Sequence, residues 1–163
     1  MLWVTPFPLQ HNCLGVFRTL GRAGVPVYAV VADPQAPVAK SRYLRGQILW
    51  QPHSGEGYDA LLNRLMDFGR TMGRRSVIVC TSDEMAVFVA RRRAVLEEWF
   101  LIPDIAPTLP AELADKQSLE EICHRTSTPI PPSVAVDTMA QLDAVVDVID
   151  IPVMVKSTAL RGQ

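Results

Sequence analysis

Two short segments that are apolar at almost every position constrain the fold more than any other feature of this sequence. Residues 25–32 form one such run, rich in β-branched side chains, and residues 76–80 (Ser-Val-Ile-Val-Cys) form another. A strand with one face in water alternates apolar and polar residues, whereas a continuously apolar strand is buried on both faces, as in parallel sheets. The sequence therefore predicts a parallel sheet with helices on both faces.

Amphipathic helices separate the predicted strands. Apolar side chains recur at helical spacing over residues 12–22 and again over residues 58–72. Further short strands are predicted over residues 2–5 and 46–50, and a last one within residues 96–102. This alternation implies right-handed crossovers and a Rossmann-like α/β domain. In such sheets, ligands bind beyond the carboxyl ends of the strands.

A proline-rich segment over residues 103–110 marks a domain boundary, because it holds three of the thirteen prolines. We predict a first domain over residues 1–108 and the beginning of a second over residues 109–163. The second forms a small, incomplete α+β lobe that is too short to be stable by itself. Its predicted elements are a helix over 115–125, a strand over 133–136, a helix over 139–148 and a strand over 153–156.

Composition narrows the classes of function. Sixteen basic side chains are balanced by seventeen acidic ones. The sequence has no basic stripe with interleaved aromatic residues, so it does not predict nucleic-acid binding. No apolar run approaches the ~18 residues of a membrane span. Three widely spaced cysteines fit a reducing cytosol and predict a cytoplasmic protein. The three histidines show no metal-ligand spacing, so we predict no metal ligands in this sequence.

Two lysines carry the main hypothesis about function. Asp115 is a good helix N-cap, which places Lys116 in the first turn of a helix, where phosphate groups bind well. Lys156 ends an apolar strand, and its flexible point charge suits a phosphate oxygen. Alone, Lys116 is better explained as a surface residue whose stem lies along apolar surface, and Lys156 is also explained as a strand-end charge that faces water. The ordered pair favours a nucleotide site.

Other polar residues are candidates for substrate binding. Residues 81–84 (Thr-Ser-Asp-Glu) lie where the fourth strand meets its helix, so Ser82 and Asp83 either bind a small polar or amino-bearing ligand or simply cap the helix. Asn12 either caps the first helix or contacts a ligand, and Arg42 either clamps a carboxylate or lies at the surface. The first turn lacks G-x-G-x-x-G, which disfavours a dinucleotide there.

Taken in order, several short motifs resemble the ATP-grasp superfamily, in the branch of carbamoyl-phosphate-synthase-like carboxylate–amine ligases. Residues 15–28 resemble the first helix and second strand of the pre-ATP-grasp domain of that family. Residues 41–43 (Ser-Arg-Tyr) and 81–84 (Thr-Ser-Asp-Glu) resemble two of its turns. Residues 113–116 (Leu-Ala-Asp-Lys) and 152–156 (Pro-Val-Met-Val-Lys) resemble the lysine-bearing segments of its nucleotide lobe.

The resemblance implies an activity and a set of roles. Such ligases join a carboxylate to an amine through an acyl phosphate formed from ATP, with Mg²⁺ and basic side chains offsetting the phosphate charge. It implies that Lys116 and Lys156 hold ATP phosphates and that Asn12, Ser82 and Asp83 face the substrates.

The resemblance also implies an incomplete site. The glycine-rich lid, the adenine hinge and the Mg²⁺-binding side chains of the family have no counterpart in this sequence. We therefore expect the amino-terminal part of a ligase, with a pre-ATP-grasp domain and the start of an ATP-grasp domain, no catalytic residue of its own and no activity alone.

Two further hypotheses stay open. The chain could be a non-enzymatic α/β module that binds a small molecule, or a subunit whose site is completed by a partner chain. Under the ligase hypothesis, its partners are a small-molecule carboxylate and an amine. An exposed apolar face on the small second lobe could also drive association into a homodimer.

Overall fold

A computed structural model describes residues 2–5, 11–146 and 152–155 of the chain. It divides the chain into two compact units, Met1–Ala111 and Glu112–Gln163. No helix in these described ranges is both long enough and apolar enough to cross a bilayer.

The first unit is built around a five-stranded sheet in which every neighbouring pair of strands is parallel. The chain moves outward on one side of the first strand and then crosses to its other side, so the spatial order is β3-β2-β1-β4-β5. This confirms the predicted Rossmann-like parallel sheet. The strands are β1 (Leu2–Thr5), β2 (Val27–Val31), β3 (Leu44–Leu49), β4 (Ser76–Cys80) and β5 (Phe100–Leu101).

Helices connect these strands on three of the four crossovers. Helix α1 (His11–Arg22) joins β1 to β2, and α2 (Tyr58–Met72) crosses from β3 to β4. The β4–β5 connection holds α3 (Asp83–Arg91) and the short α4 (Arg93–Leu96). A loop without a helix joins β2 to β3. The predicted helix over 12–22 and the predicted end of α2 before Gly73 are both confirmed.

The buried side chains form two clusters, one on each face of the sheet. Along β2, Val27, Ala29 and Val31 belong to the cluster that contains Phe17 of α1. Val30 points the other way and belongs to the cluster formed with α2, α3 and α4. Because β2 contributes to both clusters, the apolar run predicted from the sequence is indeed buried on both faces, and helices cover both.

The regular secondary structure in the described part of the second unit is helical. Helix α5 (Leu109–Ala114) spans the boundary between the units, and α6 (Lys116–Arg125) and α7 (Met139–Val146) follow. The predicted N-cap is confirmed, since the Asp115 carboxylate accepts a hydrogen bond from the Ser118 amide at 2.9 Å.

The strand predicted over residues 133–136 is wrong, and residues 153–155 form no strand either. A strand persists only beside a neighbour that accepts and donates its backbone hydrogen bonds. The described residues of the second unit supply no such neighbour. Lys156 lies outside the described residues.

Candidate functional site

The carboxyl edge of the sheet brings together two chain segments that are far apart in sequence. β1 and β4 are neighbours, and Thr5 pairs with Cys80 at the ends of these strands. The sheet order reverses between β1 and β4, which is where α/β proteins of this type bind ligands. Helix α1 and helix α3 both begin beside this edge. We call the region formed by Asn12, Cys13 and residues 81–83 the carboxyl-edge site.

A direct contact joins the two halves of the carboxyl-edge site. The Cys13 sulfur, at the start of α1, lies 3.1 Å from the Thr81 hydroxyl oxygen, in the turn after β4. Cys13 is buried, whereas the neighbouring Asn12 side chain is exposed. The contact therefore holds the first turn of α1 against the β4–α3 turn and leaves Asn12 facing solvent beside them.

Ser82 caps helix α3. Its hydroxyl oxygen accepts a hydrogen bond from the Met85 amide at 3.4 Å, in an extended backbone conformation typical of an N-cap. Asp83 follows in the first helical turn with an exposed side chain. The capping alternative is thus confirmed for Ser82. In this contact the Ser82 hydroxyl oxygen acts as the acceptor.

Burial makes the cysteines at this edge poor nucleophiles. Burial raises the pKa of the Cys13 thiol, with a smaller opposing contribution from the Thr81 hydroxyl. Burial also raises the pKa of Cys80 to about 11. The position of Cys13 in the first turn of α1 would favour the thiolate, but desolvation outweighs that effect. These two thiols are therefore poorly suited to act as nucleophiles.

A second polar contact beside this edge has no clear signal in the sequence. The Tyr58 hydroxyl, at the start of α2, donates a hydrogen bond to the Glu84 carboxylate in α3. Burial raises the pKa of Glu84, and the nearby His53 offsets this in part. The Tyr58 ring lies between Trp50 and Phe88, with centroid separations of 5.3 Å on each side. The local sequence shows only a tyrosine that follows a glycine at a helix start.

Arg42 lies at the opposite edge of the sheet. It precedes β3, and because all strands are parallel, residues that precede a strand lie at the amino edge. The structure brings Asn12, Ser82 and Asp83 to one edge and does not bring Arg42 to them.

The two predicted nucleotide lysines belong to the second unit. Lys116 is the first residue of α6, and its side chain is exposed. The helix carries its own acidic cap, Asp115. The hydrogen bond from the Ser118 amide is the main reason that the pKa of Asp115 is lowered. Lys156 lies outside the described residues, so the pairing of these two lysines stays a prediction.

The described residues offer no ready metal site. Within residues 2–5, 11–146 and 152–155, no three histidine, cysteine or acidic side chains are grouped so that they could hold an ion. The described side chains therefore supply no cation site built from three such protein ligands.

Comparison with known proteins identifies the fold. No protein-family model matches the sequence, and no curated protein matches it. Among solved structures, the crystal structure of the L-amino acid ligase from Bacillus licheniformis is similar, with a TM-score of 0.60 and 11% sequence identity. The match covers 90% of this chain and 41% of that chain. At this identity the similarity shows a shared fold, and this chain spans less than half the length of that ligase.

Proposed function

We propose that this chain forms part of an ATP-dependent ligase of the ATP-grasp type, which joins a carboxylate to an amine through an acyl phosphate. The observation that carries the proposal is the fold shared with an L-amino acid ligase. The ordered ATP-grasp-like motifs support it independently, because they depend on the sequence alone. Since the match covers 41% of that ligase, the proposal takes the rest of the active site from residues outside this sequence.

The carboxyl-edge site supplies the substrate side of this proposal. Asp83 offers an exposed carboxylate that suits the ammonium group of an amine substrate. The Asn12 amide and the Ser82 hydroxyl can donate hydrogen bonds to a carboxylate substrate. The contact between Cys13 and Thr81 fixes these groups relative to one another. Positioning of the two substrates is the contribution expected from this unit.

The second unit supplies the nucleotide side of this proposal. Lys116 heads α6 with an exposed side chain, and a helix N-terminus favours a phosphate group. We assign Lys156 the same role on the strength of the sequence resemblance. Bound Mg²⁺ would neutralise phosphate charge, and the proposal requires its ligands to come from outside the described residues.

We also propose a cytoplasmic location. Cys80 and Cys123 are free thiols. Free thiols of this kind persist in a reducing compartment, whereas an oxidising one favours disulfides.

The test measures ADP release by a protein that joins this sequence to a complete nucleotide domain, with amino acids supplied singly and in pairs. We expect ADP formation to require both a carboxylate and an amine. Lys116→Ala should raise the KM for ATP by about 10-fold, the effect of losing one charge-assisted phosphate contact. Arg125→Ala, an exposed change at the other end of α6, is the matched control and should leave that KM unchanged.

Two results would contradict the proposal. One is a failure of every carboxylate and amine pair to stimulate ADP release. The other is a KM for ATP that is the same in the Lys116→Ala protein and the Arg125→Ala protein, which would return Lys116 to an ordinary surface role.

A further inference from the structure

The three consecutive arginines Arg91, Arg92 and Arg93 differ in what they contact. The side chains of the first two are exposed, as suits the carboxyl end of a helix. Arg92 forms an ion pair with Asp59 of α2 at 3.0 Å. Arg93 is the first residue of α4, and only 25% of its side chain is exposed. Charged side chains are seldom buried to this extent unless they are paired, so the partners of Arg93 indicate its role.

The Arg93 guanidinium donates hydrogen bonds to three acceptors. Nη1 donates to the Pro103 carbonyl oxygen at 2.8 Å, and Nη2 donates to the Asp104 carboxylate at 3.0 Å. Nε donates to the Glu97 carboxylate at 3.4 Å. We call Pro103 and Asp104 the exit segment, because the chain passes through them as it leaves β5. A planar guanidinium presents its donors in fixed directions, so one side chain holds the exit segment against α4.

The ion pair with Asp104 would not fix the exit segment by itself. The Asp104 side chain is 98% exposed, and ion pairs in water contribute little. The bond to the Pro103 carbonyl adds a charged donor on a backbone oxygen, and such bonds are stronger than neutral ones. Arg93 therefore holds the backbone of the exit segment as well as one of its side chains.

The exit segment lies at a defined edge of the sheet. It follows β5, and β5 runs parallel to β4, so residues that follow it lie at the carboxyl edge. The carboxyl-edge site lies along the same edge. The chain therefore leaves the sheet from the edge at which ligands of such folds bind.

The four residues that follow have no comparable attachment. Residues 105–108 (Ile-Ala-Pro-Thr) are all exposed. Their backbone hydrogen bonds are local, such as those from the Ile105 amide to Pro103 at 3.1 Å and from the Leu109 amide to Ala106 at 3.0 Å. Exposed backbone with local hydrogen bonds and few buried contacts is the part of a protein that moves at least cost.

We propose that residues 105–108 form the hinge between the two units, and that Arg93 is the anchor that fixes where this hinge begins. Hinges are a few residues at the ends of elements that absorb changes in backbone dihedral angles. Helix α5 begins at Leu109 and ends the hinge on its other side. The anchor keeps the start of the hinge at the carboxyl edge and confines bending to the residues after Asp104.

The anchor and the hinge are independent of the proposed ligase function. All the residues that form them lie within Met1–Ala111, and none of them is assigned to ATP or to a substrate. A failure of ADP release in the ligase test would therefore leave the anchor and the hinge unaffected.

The experiment measures backbone order parameters by ¹⁵N relaxation in the full 163-residue chain. In the wild-type protein we expect about 0.85 at Asp104, as in rigid backbone, and below about 0.6 at Ile105 and Ala106. Arg93→Gln should lower the order parameter of Asp104 below about 0.6. Arg92→Gln is the matched control, because it removes a neighbouring ion pair that does not involve the exit segment, and it should leave Asp104 rigid.

A second variant tests the anchor from the other side. Asp104→Ala removes the same ion pair at an almost fully exposed side chain, so it should fold and should also lower the order parameter at residue 104. Unchanged chemical shifts in β4 and β5 show that each variant is folded.

Two results would overturn the proposal. One is an order parameter at Ile105 and Ala106 of the wild-type protein as high as that at Asp104, which would show that no hinge lies there. The other is an order parameter at residue 104 that is the same in the folded Arg93→Gln, Asp104→Ala and Arg92→Gln proteins, which would show that Arg93 anchors nothing.

Discussion

Ser82 and Asp115 show what a single residue reveals through its local sequence. Each precedes a helix and accepts a hydrogen bond from the amide three residues ahead, Ser82 from Met85 and Asp115 from Ser118. Because a cap depends only on neighbouring residues, both are predictable from the sequence. The contact between Tyr58 and Glu84 joins residues far apart in the chain, and no local pattern contains that information.

The thiol of Cys80 provides a test at the residue scale. Burial raises its pKa from 9.0 to about 11, so below its pKa the thiolate fraction should fall by about 100-fold relative to an ordinary cysteine. Iodoacetamide at about pH 8 should therefore alkylate Cys80 about 100-fold more slowly in the folded chain than in the chain unfolded by urea. Peptide mapping by mass spectrometry after timed quenching gives the rates.

The sign of the pH dependence provides the control. A raised thiol pKa favours the protonated form in the folded state, so the rate at Cys80 should keep rising with pH beyond the point where the unfolded chain has levelled off. Equal alkylation rates at Cys80 in the folded and unfolded chains would show that this partly buried thiol is not desolvated as described.

At the scale of elements, the sequence predicts a helix or strand correctly where the local residue pattern determines it. The prediction fails where pairing with another strand decides whether a strand forms. The boundaries of β4 (Ser76–Cys80) agree with prediction, because an apolar run bounded by polar residues marks a buried strand. Residues 133–136 carry a similar but weaker signal and form no strand. Strand formation requires a partner, and that partner is not encoded within the segment itself.

Two glycines in helices provide a matched test at this scale. A Cβ atom at Gly69 in α2 would overlap the side chain of Trp99, whereas one at Gly15 in α1 would meet nothing within 4 Å. We expect Gly69→Ala to lower the free energy of unfolding by about 2 kcal/mol, through overpacking. Gly15→Ala should raise it by about 0.5–1 kcal/mol, because alanine has less conformational freedom to lose.

Urea unfolding of both variants, monitored by circular dichroism, measures the two effects on the same scale. The comparison holds the amino-acid change and the secondary structure constant, so a difference in sign reports packing against Trp99. If both variants shifted stability in the same direction by the same amount, the close approach of α2 to Trp99 would be contradicted.

At the scale of the molecule, strand order determines which predicted residues meet. Asn12 and Ser82 lie after strands that are neighbours in the sheet, so the alternation of strands and helices is enough to predict that they reach the same edge. The sequence hypothesis groups Arg42 with these substrate-binding candidates. Arg42 precedes a strand, however, so it lies at the opposite edge of the sheet. The relation of Lys116 to Lys156 depends on residues outside the described ranges, and no pattern in this sequence determines it.

The first unit contains all that it needs for an independent core. Both clusters of buried side chains are drawn from residues within Met1–Ala111, and they include residues from β2, β4 and β5. In the second unit, by contrast, Cys123 is the only buried hydrophobic residue among those that the structure describes. Stability in a domain of this size comes mainly from buried apolar surface. The two units should therefore differ greatly in their free energy of unfolding when they are separated.

We therefore expect residues 1–111, expressed alone, to unfold in urea in a single cooperative transition. The matched control ends at Leu96 and lacks β5 together with Phe100, whose side chain is completely buried. Loss of a buried phenylalanine costs about 3–5 kcal/mol, a large part of the stability of a small domain, so the shorter chain should unfold without a cooperative transition. Circular dichroism and tryptophan fluorescence should give coincident transitions for residues 1–111. Non-coincident or gradual unfolding of residues 1–111 would show that its core depends on the second unit.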